Sequence, residues 1–366
     1  MRFPRFDMER MQSTWEHRIR YDLSESGVEA LTLEEITRDP KELMRTRLGY
    51  AEGVGREATR ALVASFHAGR APDDVVITTG TSEANFLALA TLVSSGDEVV
   101  VIMPNYMQVH GIASGMGARV REVWLREERG WTIDLDALRV AVNARTRVIC
   151  VCQPNNPTGQ ILSPGEVAEI VRVADRHGAW ILADEVYRGA ERSGEESPTF
   201  SGRGARIIVT GGLSKVYGLP GLRIGWLVAP PERVEAALEV KDYTTIAPAT
   251  ISEALAEIAL ERRKQLLERA RFLVNERWPM LEDWAGGRSR ELHWTAPAAG
   301  AICFFSYKYP IDSMALVDRL IREYSTMIVP GIHFRAERHL RIGFGMVPRV
   351  LHSGLAAIDR LLTALD

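Results

Sequence analysis

Lys215 stands in the run Thr210-Gly211-Gly212-Leu213-Ser214-Lys215, which continues as Val216-Tyr217-Gly218-Leu219-Pro220-Gly221-Leu222-Arg223. An amine on an apolar, glycine-rich loop is readily desolvated, and desolvation lowers its pKa. A neutral amine is a nucleophile and can form a Schiff base with a carbonyl compound. Most lysines in turns are solvated surface groups, so Lys215 alone decides nothing. The groups upstream decide it. Asp184 closes an apolar run in Ala183-Asp184-Glu185-Val186-Tyr187. A carboxylate at a buried strand end is costly unless a cation or hydrogen-bond donor meets it. A pyridinium N–H would be such a partner, and the carboxylate would keep that ring protonated as an electron sink.

Three further motifs stand at the ends of apolar runs. In Thr79-Gly80-Thr81-Ser82-Glu83-Ala84, small residues let backbone N–H groups and hydroxyls face an anion at a helix N-terminus. Capping by Thr or Ser would account for the same residues. Pro104-Asn105-Tyr106 offers an aromatic that can stack on a planar ring or simply pack. Gln153-Pro154-Asn155-Asn156-Pro157-Thr158-Gly159 reads as a tight turn, since Asn, Pro and Gly are turn residues.

The elements that must position these residues alternate along the chain. The spacing predicts strands at 75–78, 98–102, 148–152, 180–183 and 207–209, each short and β-branched or apolar. Helices are expected over 57–67, 82–93, 109–116 and 166–176. Such alternation implies an α/β fold with a mostly parallel sheet sandwiched by helices. Every motif above then falls just past a strand end, where open α/β sheets hold their ligands. After about Lys241 the texture changes. A long charged helical stretch over 252–277, short strands near 301–307 and 340–344, and a helix over 351–365 suggest a smaller α+β domain. The expected division is a large domain over 45–240 and a small one built from 1–44 plus 241–366.

Composition sets the remaining bounds. The 366 residues are 46% hydrophobic and 25% charged, with formal net charge −3, as in an ordinary globular protein. Basic residues are interspersed with acids, so no nucleic-acid surface is expected. No apolar stretch approaches the roughly 18 residues of a membrane span, and the first residues lack the apolar segment of a secretory signal. The three cysteines, Cys150, Cys152 and Cys303, are too few for a disulfide framework and suit a reducing compartment. Cys150 and Cys152 lie in an apolar strand without a His/Cys partner pattern, so no metal site is expected.

The motifs taken in order resemble those of fold-type I pyridoxal-phosphate-dependent aminotransferases, class I/II, over essentially the whole chain. The resemblance implies that Lys215 forms the Schiff base with pyridoxal 5'-phosphate and shuttles the proton, and that Asp184 pairs with the pyridine nitrogen. Asn156 and Tyr187 would hydrogen-bond the phenolic oxygen, and Tyr106 would stack on the ring. Thr81, Ser82, Ser214 and Arg223, with backbone amides near Gly80, would hold the phosphate. Tyr50, in Leu48-Gly49-Tyr50-Ala51-Glu52-Gly53, resembles the tyrosine that reaches the phosphate of a neighbouring subunit, which implies a homodimer with shared sites. Arg341 resembles the arginine that binds the substrate α-carboxylate, and Gly27 the glycine that lets backbone approach the substrate. The implied substrates are an α-amino acid and a 2-oxo acid, and the implied location is the cytoplasm.

The chain also departs from the pattern. Many relatives carry a hydroxyl residue where Gly212 stands, which shifts the expected phosphate contacts toward Ser214 and Arg223. Ile328-Val329-Pro330-Gly331 lacks the additional arginine of histidinol-phosphate aminotransferases and argues against a phosphorylated substrate. Asp22-Leu23-Ser24-Glu25-Ser26-Gly27 and Gly218-Leu219-Pro220-Gly221-Leu222-Arg223 resemble the corresponding runs of capreomycidine synthases, which use this scaffold to cyclise a hydroxylated arginine. Cyclisation or elimination at the β- or γ-carbon, as in C–S lyases, is therefore the alternative reaction. No motif spells out the side-chain pocket; Trp15, Glu25, the segment Tyr243-Thr244-Thr245 and the residues from His333 to Arg335 are its candidates.

Overall fold

The computed structural model describes residues 2–37 and 40–365. Runs of β-branched residues with no polar alternation must be covered on both faces. The chain forms such strands at β1 (Val75–Thr78), β2 (Glu98–Met103), β5 (Thr146–Cys152), β6 (Trp180–Asp184) and β7 (Ile207–Gly212). With β3 (Arg119–Arg126), β4 (Thr132–Ile133) and β8 (Gly225–Val228) they make one eight-stranded sheet in the order β1-β8-β7-β6-β5-β2-β3-β4. The pairs β7–β6, β6–β5, β5–β2 and β2–β3 are parallel. The pairs β1–β8, β8–β7 and β3–β4 are antiparallel. Side chains of a strand alternate between faces. Val100 and Ile102 accordingly join one buried cluster, while Val99, Val101 and Met103 join the other. Helices Gly80–Leu92 and Pro231–Lys241 cover the second face.

Three sheet strands have no signature in an apolar-run reading, the two-residue β4 among them. β3, Arg-Val-Arg-Glu-Val-Trp-Leu-Arg, carries polar residues along a partly exposed ladder. β8 is four residues long and begins with glycine. It runs antiparallel because the chain from Leu213 to Ile224 turns back over the end of β7 rather than crossing by a helix, with the Leu213 N–H donating to the Ile224 carbonyl at 3.0 Å. That turn carries Lys215. The register places Cys152, Asp184 and Thr210 side by side, so the carboxyl ends of β5, β6 and β7 form one edge.

The charged stretch expected as one helix is two, Thr250–Glu261 and Arg263–Gly286. Arg262 breaks the run, with its Nη1 donating to the carbonyls of Glu35 and Ile36 at 2.9 and 3.0 Å. A second sheet is wholly antiparallel, in the order Leu292–Trp294, Ile302–Tyr307, His339–Gly343, Val329–Pro330. The helices Ser313–Tyr324 and Pro348–Thr363 accompany it. Tyr21–Asp22 pairs in parallel with Thr326–Met327, which ties the N-terminal segment to this region. No helix among the described residues is long and apolar enough to cross a membrane.

One glycine fixes how closely the first helix meets the sheet. A Cβ on Gly225 would lie 2.4 Å from Gly80 C and 2.4 Å from Thr81 N. Both are backbone atoms that cannot swing aside. Gly225→Ala is expected to destabilise the protein by about 1–3 kcal/mol, the usual cost of overpacking, read as a lower denaturation midpoint in urea. An unchanged midpoint would show that the helix start can shift freely.

Candidate active site

Asp184 is the last residue of β6. Its Oδ1 accepts from the Val186 N–H at 3.1 Å, and its Oδ2 accepts from Asn85 Nδ2 at 2.9 Å. Asn85 is in turn held by Thr210 Oγ1, which donates to its Oδ1 at 2.7 Å. Burial pushes the Asp184 carboxyl above its ordinary range, although Asn85, the Val186 N–H and the Lys215 charge all pull the other way. A carboxylate in that position gains from any cationic N–H brought against it. Asn85 was not among the residues singled out from the sequence. Its signal is a buried amide amid Ala84-Asn85-Phe86-Leu87, where an unpaired polar group would be costly.

The N-terminal stretch Ser24–Gly27 runs through the same site. Lys215 Nζ donates to Glu25 Oε1 at 2.8 Å, and Tyr187 Oη donates to Ser26 Oγ at 2.8 Å. A Cβ on Gly27 would lie 3.2 Å from Lys215 Cα and from the Ser214 carbonyl oxygen, so this glycine lies directly on the lysine's backbone. The expectation that Lys215 is an amine of lowered pKa is corrected here. Burial is the largest single influence and pulls it down, but the Glu25 carboxylate and Tyr187 together outweigh it and hold the ammonium above its usual range. Glu25 itself is held at about 2: burial would raise it, and Lys215 with the Gly27 and Ser26 N–H groups overcomes that. A segment some 190 residues upstream supplies the partner, which reading the lysine loop by itself cannot show.

Arg341 is buried on the strand His339–Gly343. Its Nη1 donates to Asn156 Oδ1 at 3.0 Å and its Nη2 to the Ser24 carbonyl, whereas its Nε is buried with no hydrogen-bond partner among the described residues. A guanidinium so placed has donor capacity in reserve for a carboxylate.

At the other end, Gly80 opens the helix Gly80–Leu92 with φ +76°, followed by Thr81 and the exposed Ser82. A Cβ on Gly80 would lie 2.5 Å from Arg223 Nη2, so a guanidinium stands at a helix N-terminus. Two positive ends facing each other are unfavourable unless an anion joins them. Arg223 Nη1 also lies 3.5 Å from Ser214 Oγ and donates to the Pro220 carbonyl at 3.0 Å. Thr81 Oγ1 is buried without a partner. The same oxygen would sit 2.5 Å from a Cβ at position 212, which accounts for glycine there: Thr81 fills that space.

Tyr106 is half-buried, and its Oη donates to Glu9 Oε1 at 2.6 Å, a partner the sequence did not suggest. Tyr50 stands apart from the site in the single chain and is 94% exposed, beside the exposed Leu48 and Met44. A cavity of about 940 Å³ is lined by Trp15, His333 and Arg335 among others, but not by Lys215, Asp184 or Arg341. Of the pocket candidates, Glu25 meets Lys215 instead, while the hydroxyls of Thr244 and Thr245 donate to Glu83 Oε1 at 2.7 Å each.

Residues 20–358 match the family Aminotransferase class I and II. The chain belongs to that family. It is 34% identical to capreomycidine synthase of Streptomyces vinaceus over 93% of this chain and 89% of that protein. A pyridoxal-phosphate-dependent aminotransferase structure from Streptococcus suis superposes with a TM-score of 0.94 at 30% identity, covering 100% of this chain and 99% of that one. The pyridoxal-phosphate-dependent cyclase OrfR superposes with a TM-score of 0.92 at 27% identity, covering 100% and 98%. The fold is therefore aspartate-aminotransferase-like, and the family's cofactor is pyridoxal 5'-phosphate. The residues present fit that cofactor. Thr81 Oγ1 lacks a partner and Arg223 faces a helix start at one end, while the Asp184 carboxyl is raised by burial at the other.

Asp184→Asn is expected to leave the melting temperature close to that of the parent. Turnover should fall by roughly 10²–10³-fold, the loss typical of one preorganised electrostatic group. Near-parental turnover would make the carboxylate a structural group only.

Proposed function

We propose that the protein is an aminotransferase moving an amino group between an α-amino acid and a 2-oxo acid. The observation that carries the reading is Arg341, a buried guanidinium with an unpartnered Nε, in the same site as Lys215 and Asp184. Bound pyridoxal phosphate supplies an aldehyde that captures amino groups and a ring that accepts the electron pair released at the α-carbon. The chain's own residues do the rest. Thr81, Ser82, Ser214, Arg223 and the backbone at Gly80 hold the phosphate through a helix start and a planar guanidinium. Asp184, oriented by Asn85, keeps a proton on the pyridine nitrogen. Asn156 and Tyr187 hydrogen-bond the phenolic oxygen, and Tyr106 covers the ring. Arg341 grips the α-carboxylate as a bidentate fork, with Gly27 leaving room for it. Lys215 takes the α-proton and returns it, acting as base and then as acid at fixed distance.

The relatives favour a second reading alongside it. Capreomycidine synthase and OrfR share the scaffold, and cyclisation or elimination at the β- or γ-carbon would use the same lysine and the same electron sink. We further propose that the chain divides into domains at 45–240 and at 1–44 plus 241–366, that it works in the cytoplasm, and that it forms a homodimer. Exposed Met44, Leu48 and Tyr50, with exposed Ile246 close to Gly53, support the last, because apolar surface of this kind marks an interface.

Borohydride reduction of the holoenzyme is expected to fix the cofactor on the Lys215 peptide. Sustained turnover of an amino donor should then require a 2-oxo acid and yield the matching new amino acid. Turnover of one amino acid with no oxo acid, giving a cyclic or unsaturated product, would select the second reading. An adduct on another lysine would defeat both.

Mixing Lys215→Ala subunits with Tyr50→Ala subunits tests the dimer. Each parent is expected to be inactive. The mixed dimer places both defects in one site and leaves the other whole, so activity should return in proportion to mixed dimers. Proven subunit exchange without recovery would show that Tyr50 does not act across the interface.

A further inference from the structure

Glu25 has no part in the roles given above, yet it holds the reactive amine. Its Oε1 accepts from Lys215 Nζ at 2.8 Å, and also from the N–H groups of Ser26 and Gly27 at 2.8 Å each. The main chain fixes this placement on both sides. The Val28 N–H donates to the Lys215 carbonyl at 3.1 Å, the Glu29 N–H to the Gly345 carbonyl at 2.8 Å, and the Gly343 N–H to the Leu23 carbonyl at 2.8 Å. A Cβ on Gly343 would lie 2.0 Å from the Glu25 carbonyl oxygen, so the loop is clamped between the lysine turn and the second sheet. The backbone on either side of the ion pair is thus held by contacts of its own.

We propose that Glu25 is a positioning residue for Lys215, holding Nζ in place and stabilising a proton there, both on the nitrogen joined to the cofactor and on the amine once it has taken up the α-proton. The inference rests on the Lys215 reading above for its place in the reaction, while the contact itself is independent of it. When Lys215 removes the α-proton, the C–H electron pair stays with the substrate and the proton joins the Nζ lone pair. The ammonium so formed faces an ionised carboxylate at hydrogen-bond distance, and a charge-assisted bond of this kind is the strong sort. The charged Lys215 and the Ser26 and Gly27 N–H groups all favour the ionised form of Glu25, so the proton of the pair belongs on the nitrogen. It biases Lys215 toward the acid, the form that must protonate carbon in the second half of the exchange. The other groups facing Lys215 divide in sign. Tyr187 beyond β6 favours the charged amine, Arg341 on the second sheet opposes it, and Asp184 at the end of β6 feels the lysine's charge in return.

Glu25→Gln tests this, because the amide keeps an oxygen for the Ser26 and Gly27 N–H groups and loses only the charge. The readout is the visible absorbance band of the bound cofactor followed against pH, which reports the proton held at Lys215 Nζ. Removing an anion lowers the affinity of a neighbouring nitrogen for its proton, so the midpoint is expected to move to lower pH in Glu25→Gln. In Glu25→Asp, which draws the same charge back by one methylene, the midpoint should fall between variant and parent. An unchanged midpoint in Glu25→Gln, with the Lys215 adduct intact, overturns the proposal and leaves the function standing. If Glu25→Gln does not fold, an unchanged midpoint in Glu25→Asp overturns it equally. Should the parent show no Lys215 adduct, the functional reading fails first. Competitive acetylation of cofactor-free protein, scored on the Lys215 peptide by mass spectrometry, then decides the ion pair. Lys215 is expected to become reactive at lower pH in Glu25→Gln than in the parent, and equal profiles would sink the ion pair.

Discussion

Charge withdrawn from water at the carboxyl ends of parallel strands is the constraint on which this structure turns. Asp184, Lys215 and Arg341 meet at one edge of the large sheet, and while Glu25 pairs with Lys215, neither Asp184 nor Arg341 is compensated completely by the described residues. Asp184 has two donors and still keeps a raised carboxyl, and Arg341 retains a buried Nε with no partner. Such deficits are expensive in a structure whose net stability is small. They are tolerable where a ligand brings the missing partners, and a ligand with an anion at one end and a ring nitrogen at the other matches the deficits here in kind and in order.

The scaffold keeps these groups immobile by letting backbone approach backbone. Gly225 lies against the first turn of the helix Gly80–Leu92, Gly27 lies against Lys215, and Gly343 against Glu25. At Gly225 and Gly343 a methyl group would overlap backbone atoms, and at Gly27 it would press on them at 3.2 Å. The site is therefore aimed by main-chain packing, and side chains such as Asn85 and Ser26 add the final hydrogen bonds. Reactive groups held by rigid elements need little reorganisation at the moment of reaction, which is where preorganised electrostatics act.

The N-terminal segment shows how far apart in sequence the partners are. Gln12 Nε2 donates to the Ser24 carbonyl at 3.2 Å, the same carbonyl that accepts from Arg341, and Glu9 takes the Tyr106 hydroxyl. The helix Asp7–Trp15 thus touches both the carboxylate end and the ring end of the site. Its two contacts are polar and partly buried, so they depend on the geometry beneath them as much as they constrain it.

The sequence by itself determined the local elements and the chemical inventory. Uninterrupted β-branched runs announced the central strands, because only residues buried on both faces can dispense with polar alternation. Lys215 and Asp184 stood out because apolar runs end beside them, while Asn156, Tyr187, Arg223 and Arg341 drew attention through the resemblance of their motifs to those of a known family. β3 and β8 were not legible, since a partly exposed ladder and a four-residue return carry no such pattern. Tertiary structure alone decided the pairings: Asn85 with Asp184, Glu9 with Tyr106, Ser24 with Arg341, and above all Glu25 with Lys215. The lysine loop, read locally, implied an amine whose pKa burial would depress. A carboxylate arriving from the far N-terminal segment, together with Tyr187, reverses that shift, because Coulomb attraction depends on distance in space and not on separation along the chain.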